Sequence, residues 1–255
     1  MSKKDKKRRH KSRVLWIMIL LLCVVGVGLY LYFPYTKHKN NVDEEANIQD
    51  GPQRVELTAI DIPQYSGQPS VEVNGNTPFF TADELTRSVY EKYSDLDELG
   101  RCGEAYACVG QEMMPTEERG EIGHIKPTGW KQAKYPDVVN SKPPYLYNRC
   151  HMIAYCLTGE NDNEKNLITG TRYMNVEGML PWETKVASYV DETGNHVMYR
   201  VTPDFRDEEL LSRGVLIEAY SVEDKGEGIC FCVYCYNVQP GVVIDYMTGE
   251  SWLAE

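Results

Sequence analysis

The sequence predicts an α+β fold built on a central antiparallel sheet and preceded by one N-terminal transmembrane helix. Three observations lead there. The C-terminal third alternates in the manner of strands over His196 to Thr202, Val215 to Val222 and Ile229 to Val238, with Asp224-Lys225-Gly226-Glu227-Gly228 as a tight turn between the last two. Ahead of them, Thr171 to Glu192 reads as helical, with Met179, Val186, Tyr189 and Val190 as its buried face. Near the start, Val14 to Phe33 is apolar and carries no charge.

Taken in chain order, residues 1–13 hold eight Lys and Arg against a single Asp5 and read as a basic cytoplasmic segment. Residues 14–35 follow as an anchor, since about twenty apolar residues rising 1.5 Å each cross a bilayer core. The aromatics Tyr30, Tyr32, Phe33 and Tyr35 suit the membrane interface, and no small-residue cleavage site accompanies them. The basic flank places the N-terminus in the cytoplasm, so the remainder is expected outside the cell, held at the membrane by a single pass. Residues 36–64 are polar and acidic and read as a stalk. Residues 65–255 are long enough for one domain with its own core. Within it, Val71 to Val73 enters a turn at Asn74-Gly75-Asn76. Thr81-Ala82-Asp83-Glu84 has the form of a capping box opening a helix that carries Leu85, Val89 and Tyr93. Glu104 to Val109 and Tyr145 to Ile153 read as strands. Gly178 and Pro181 interrupt the helical region after Thr171, and Gly194 ends it.

Charge limits the partners. The chain carries −11, and the first thirteen residues alone carry +7, which leaves −18 for the rest. An acidic body lacks the broad basic face that draws proteins to polyanions. Any nucleic-acid contact is therefore expected in a narrow groove, for which Arg149, Arg172, Lys165, Lys185 and Arg200 are the available cations. Outside Cys23 there are seven cysteines, an odd number. Cys102 with Cys108 and Cys150 with Cys156 are the local pairings an oxidising compartment would offer, with the connectivity open. Cys230, Cys232 and Cys235 alternate as on a strand, which favours small buried hydrophobes over a zinc site. No pattern for a dinucleotide or an organic cofactor is present, and the oligomeric state is open.

The chemistry is concentrated in Tyr147-Asn148-Arg149-Cys150-His151, then Asn163-Glu164-Lys165-Asn166, then Thr171-Arg172-Tyr173-Met174-Asn175. Cleaving a phosphodiester needs a base for the attacking water and a cation for the charge that builds on phosphorus. Histidine titrates nearest neutral pH and can be the base. Magnesium keeps most of its waters, so a single carboxamide oxygen can be enough to hold it. Taken alone, a histidine is more often a surface or core residue than a catalyst. Asn161 and Asn163 have the character of turn formers.

These segments resemble the DNA/RNA non-specific endonucleases with a ββα-metal finger, in particular the Gram-positive branch that includes the streptococcal DNA-entry nuclease. The tetrad Asn148-Arg149-Cys150-His151 stands where that family carries Asp-Arg-Gly-His, and Asn166 to Asn175 resembles its asparagine-bearing segment. The resemblance spans roughly residues 65–247 and is strongest from Tyr145 to Glu183. It implies a ββα-metal finger packed on one face of the sheet. It further implies His151 as general base, Asn175 as direct magnesium ligand, Asn166 as a supporting residue and Glu183 as holder of metal-bound water. Arg149 and Arg172 would touch phosphate, with Asn148 beside them at the substrate. The implied activity is magnesium-dependent hydrolysis of DNA and RNA to 5′-phosphates, manganese being a second choice of ion.

Two positions depart from the family. Asn148 removes a negative charge yet can still accept a hydrogen bond. Cys150 replaces a glycine, which is tolerable only if the backbone there is extended. A catalytically decayed, surface-anchored nucleic-acid-binding module is the alternative from another class, and a zinc-stabilised scaffold on Cys230, Cys232 and Cys235 is a third.

Overall fold

Val201, Ile217 and Val233 sit side by side on three adjacent strands, and that register sets the frame of the molecule. The computed structural model describes residue 57 and residues 60–255. The basic segment, the anchor and the stalk up to residue 56 lie outside the described residues. Among the described residues no helix is long and apolar enough to cross a membrane.

Strands β1 (Ser70–Glu72), β2 (Tyr90–Tyr93), β3 (Ala105–Val109), β6 (Val197–Pro203), β7 (Gly214–Ser221) and β8 (Cys230–Tyr236) form one sheet in the order β1-β8-β7-β6-β3-β2. Every pairing is antiparallel. Because side chains alternate along a strand, one face presents Val197, Tyr199, Val201, Val215, Ile217, Ala219, Phe231, Val233 and Cys235 to the main core. Against this face pack the hairpin of β4 (Tyr147–His151) and β5 (Leu167–Thr171), the short helix α1 (Tyr155–Thr158) and the long helix α2 (Leu180–Thr193). The opposite face is covered by Leu57, Ile60, Ile62 and Tyr65 at one end and by Phe80 and Leu85 at the other. Packing thus reaches back beyond the boundary that composition drew at residue 65. A small hairpin of β9 (Val242–Ile244) and β10 (Ser251–Leu253) lies near the C-terminus.

The α+β architecture with its antiparallel sheet agrees with expectation, as does the left-handed stop at Gly194, whose φ is 67°. The expected helix after Thr81 does not form. The box itself closes, with Thr81 N and Oγ1 donating to Glu84 Oε2 at 2.6 and 2.9 Å. It closes only a turn, because Tyr90 to Tyr93 is drawn into the sheet, where Tyr90 pairs with Cys108. Tertiary pairing overrides the local signal.

The cysteine pairings are also corrected: all seven described thiols are free. Cys102 belongs to the main core and Cys108 to the cluster on the opposite face, so the two cannot meet. Cys150 lies on β4, buried behind the hairpin, while Cys156 is half-buried on α1. Cys232 and Cys235 likewise point to opposite faces of β8. The zinc scaffold has no geometry to support it, and among the described residues no three His, Cys, Asp or Glu gather as metal ligands.

Arg200 is not a groove residue either. It is fully buried in β6, paired with the Glu218 carboxylate at 2.7 and 2.9 Å and flanked by Glu84 at 3.2 Å. A buried guanidinium survives only with such partners.

Candidate active site

Strand β4 carries the tetrad and has ordinary extended geometry at Cys150, which pairs with Ile168 and has no positive φ. The strand tolerates the cysteine because Gly170, the partner of Asn148 and diagonal to Cys150 on β5, has no side chain. A Cβ on Gly170 would come within 2.4 Å of the Cys150 sulfur and 2.5 Å of the Met174 methyl. The missing side chain on β5 makes room for the added one on β4.

Just past β4 the chain turns sharply and is pinned by Asn166. This side chain is completely buried; its Oδ1 accepts from Ile153 N at 2.8 Å and its amide donates to Ile153 O at 3.0 Å. Asn166 therefore satisfies backbone groups two residues beyond His151 and does not face the cleft. β5 then ends at Thr171, whose Oγ1 accepts from Met174 N at 3.0 Å and starts the helical turn. Where Gly178 and Pro181 predicted an interruption, Met174–Met179 winds as a π-helix and runs directly into α2. Such widened turns re-aim side chains and recur at functional sites. Asn175 comes from this widened stretch and Glu183 from the first turn of α2.

Asn148, Arg149, His151, Arg172, Asn175 and Glu183 all line one cleft of about 920 Å³. Of the residues named from the sequence for the site, only Asn166 lies off it. Of the proposed groove cations, Lys165 is tied to Asp95 at 2.6 Å on the surface, and Lys185 sits over the rings of Trp182 and Phe231 at 6.0 and 5.7 Å. Neither lines the cleft. The cleft instead gains Arg119 and Lys142. Its walls thus hold the cations Arg119, Lys142, Arg149 and Arg172 against the single carboxylate Glu183, so the groove is locally basic in an acidic protein.

The imidazole of His151 is buried, and both ring nitrogens are engaged. Nε2 lies 2.7 Å from the carbonyl of Asn161, and Nδ1 lies 3.0 Å from Nη2 of Arg119. A carbonyl can only accept and a guanidinium can only donate, so Nε2 carries the proton and Nδ1 offers its lone pair. Burial, aided by the charge of Arg119, pushes the His151 pKa down to about 4, while the Asn161 carbonyl opposes the shift. His151 is neutral at pH 7.

Glu183 is buried and has no hydrogen-bond partner among the described residues; burial raises its pKa to about 8, against the pull of Arg119. Asn175 and Arg172 also have side chains free of hydrogen bonds among the described residues. Arg149 is different. It donates to the Ile125 carbonyl and, at 2.8 Å, to that of Gly123, and it stacks on Trp130 at 4.2 Å. It ties the loop of residues 122–130 to β4 while lining the cleft.

Two functional contacts escaped sequence reasoning. Arg119 sits in an acidic stretch, Glu117-Glu118-Arg119-Gly120-Glu121, with no motif to mark it. Asn161 contributes its main-chain oxygen, which any residue would supply. Asn163 is the turn former it was expected to be, its Oδ1 accepting from Lys165 N at 3.0 Å.

Residues 82–223 match the family described as DNA/RNA non-specific endonuclease. The curated Deoxyribonuclease of Streptococcus dysgalactiae subsp. equisimilis is 27% identical over 197 residues, which cover 62% of this chain and 59% of that one. The chain therefore spans about 59% of that relative's length. Among solved structures, NucA from Streptococcus agalactiae with magnesium bound is 26% identical with a TM-score of 0.66, covering 78% of this chain and 92% of that chain. Sda1 nuclease with bound zinc shares the fold at 24% identity and a TM-score of 0.60, covering 73% of this chain and 97% of that one. Since the matched span takes in every residue of the cleft, the chain belongs to the DNA/RNA non-specific endonuclease family.

Proposed function

We propose that the protein is a metal-dependent, sequence-nonspecific endonuclease that hydrolyses DNA and RNA outside the cell, with His151 as general base and Asn175 as magnesium ligand. The observation that carries this is the state of His151: a neutral imidazole whose protonated nitrogen is fixed on the Asn161 carbonyl, leaving the Nδ1 lone pair toward the cleft cations. A base must be unprotonated at working pH, and this one is.

The donors fit a hard divalent ion. Asn175 and Glu183 offer a carboxamide and a carboxylate oxygen on one cleft, and neither is spent on a hydrogen bond among the described residues. A buried carboxylate without a partner is costly unless it is protonated or meets a cation. Asn175 would hold the ion directly and Glu183 would hold its water. Bound there, a divalent cation supplies positive charge for the phosphoryl oxygens. The chain's own residues do the rest. Arg172 has a free guanidinium for a neighbouring phosphate. Arg119 is drawn from Nδ1 toward the scissile phosphate, uncovering the lone pair for water. Asn148 borders the substrate without adding negative charge. Similarity to the magnesium-bound NucA of Streptococcus agalactiae supports this arrangement. The uninterrupted apolar run from Val14 to Phe33, with its basic flank, supports display of the domain on the outer face of a membrane.

Plasmid DNA and a structured RNA, incubated with magnesium, with manganese and with excess chelator, test the activity. Nicking that needs the ion and falls roughly 10²- to 10⁴-fold in His151→Ala is expected for loss of a general base. Absence of cleavage by the intact protein with every divalent ion tried would overturn the proposal and leave a nucleic-acid-binding module.

A further inference from the structure

We infer that Tyr145 is a base-stacking residue that makes the cleft prefer strands with an unpaired base, single-stranded nucleic acid ahead of duplex. This rests on the phosphodiester hydrolysis proposed above and names the substrate class of that same site. Tyr145 stands two residues before β4, on the rim of the cleft that holds His151, and the residue is 38% exposed.

Its backbone is fixed while its side chain stays at the surface. Tyr145 bridges to Lys134 in antiparallel fashion, and the next residues, Leu146 and Tyr147, are buried at 0% and 2% exposure. The carboxamide of Gln132 locks Tyr147 from both sides, accepting from its N at 3.0 Å and donating to its O at 2.7 Å. A platform held this way loses little conformational freedom when a flat partner arrives. Of the other aromatics lining the cleft, Tyr147 is buried, Tyr155 is held by its hydroxyl on the Glu117 carbonyl at 2.9 Å, and Trp130 already has the Arg149 guanidinium against its face at 4.2 Å. Lys134 holds its Nζ over one face of the Tyr145 ring, 4.9 Å from the centroid, so a base would stack on the other face or displace this single flexible ammonium toward a flanking phosphate; Lys142 is a further cation on the cleft wall.

The charge of the chain explains why stacking matters here. Beyond its first thirteen residues the protein is acidic, so backbone attraction is confined to a few cleft cations. Stacking does not depend on charge, and every base has a face to offer. In a duplex both faces of each base are taken by its neighbours. The Tyr145 ring therefore selects unpaired, frayed or looped positions, in DNA and RNA alike.

The test uses the full-length chain carrying His151→Ala, so that strands are bound and not consumed, with magnesium present. Anisotropy of a short labelled oligonucleotide measures affinity as a single strand and as a duplex. Changing Tyr145→Leu is expected to weaken single-strand binding about tenfold, as for loss of one stacked base, with a much smaller effect on the duplex. The salt dependence should keep its slope, since no charge is removed. Tyr145→Phe and Tyr145→Trp should bind as the parent does. Should Tyr145→Leu fail to fold, a 2-aminopurine base in the strand gives an independent reading on the parent, quenched when stacked on the ring. Unchanged affinity in Tyr145→Leu, equal losses on single strand and duplex, or an unquenched base would each overturn the inference. Metal-dependent cleavage by the protein with His151 intact distinguishes that failure from failure of the hydrolysis itself.

Discussion

Arg119 donates from Nη2 to Nδ1 of His151 at 3.0 Å, so the lone pair that would take a proton from water is covered by a cation that a phosphate would attract. Substrate arrival and release of the base are thereby one event. Arg119→Ala should reduce kcat by roughly 100- to 1,000-fold, the usual cost of losing one aimed donor, with a smaller change in KM. Because the charge of Arg119 lowers the His151 pKa, the same variant should show a higher value in an NMR titration. A pKa that stays put would separate the two side chains electrostatically.

Glu183 links the site to stability. Its folded pKa of about 8 lies above the ordinary carboxylate value, so its contribution is fully present at pH 4 and is lost as the pH rises through 8. In chelator, the parent should melt lower at pH 8.5 than at pH 5.5. Glu183→Gln should remove much of that difference and raise the pH 8.5 melting temperature by roughly 5 °C, a shift that calorimetry can read. With magnesium added at pH 8.5 the ordering should reverse, the parent gaining and the variant gaining less.

Asn166 acts through the main chain. Asn166→Ala leaves both the N–H and the carbonyl of Ile153 unpaired in the interior and should cost about 2–4 kcal/mol in urea unfolding. Cleavage should fall further than the folded fraction does, because the turn that sets His151 is loosened. Activity in strict proportion to folded protein would mean that the turn does not position the base.

Arg200 offers the contrasting case. It pairs with Glu218 on the sheet face away from the cleft, and Arg200→Met would strand a buried carboxylate at a cost of about 3–5 kcal/mol. The fraction that remains folded should nick plasmid at the parent's rate. Joint replacement of Arg200 and Glu218 by apolar residues should recover part of the lost stability.

What could be read from the chain, and what could not, follows from how far apart the contributing groups lie. Asn148, Arg149 and His151 of the tetrad, together with Asn175 and Glu183, are spread over 36 positions of one β-hairpin and its helix, and the structure places these five on one cleft, with Cys150 turned into the core. Arg119 and Lys142 reach it from loops, where neither periodicity nor a motif marks which way a side chain turns. The Asn161 contribution is a carbonyl and has no side-chain signature at all. Charge alone misassigned Lys165, Lys185 and Arg200, since a cation's sign says nothing about its neighbours; Arg200 proved to be fully buried. The Thr81–Glu84 box was chemically right and structurally misleading: its hydrogen bonds form, but β3 offers Tyr90 to Tyr93 a better partner than a helix would.

The seven described cysteines are all free thiols, and the pairs that sequence spacing suggested are not joined. No covalent cross-link within the described domain waits on an oxidant, and dithiothreitol should leave its melting curve where it was. The described fold therefore needs no oxidising compartment in order to close. What holds it is a sheet packed on both faces.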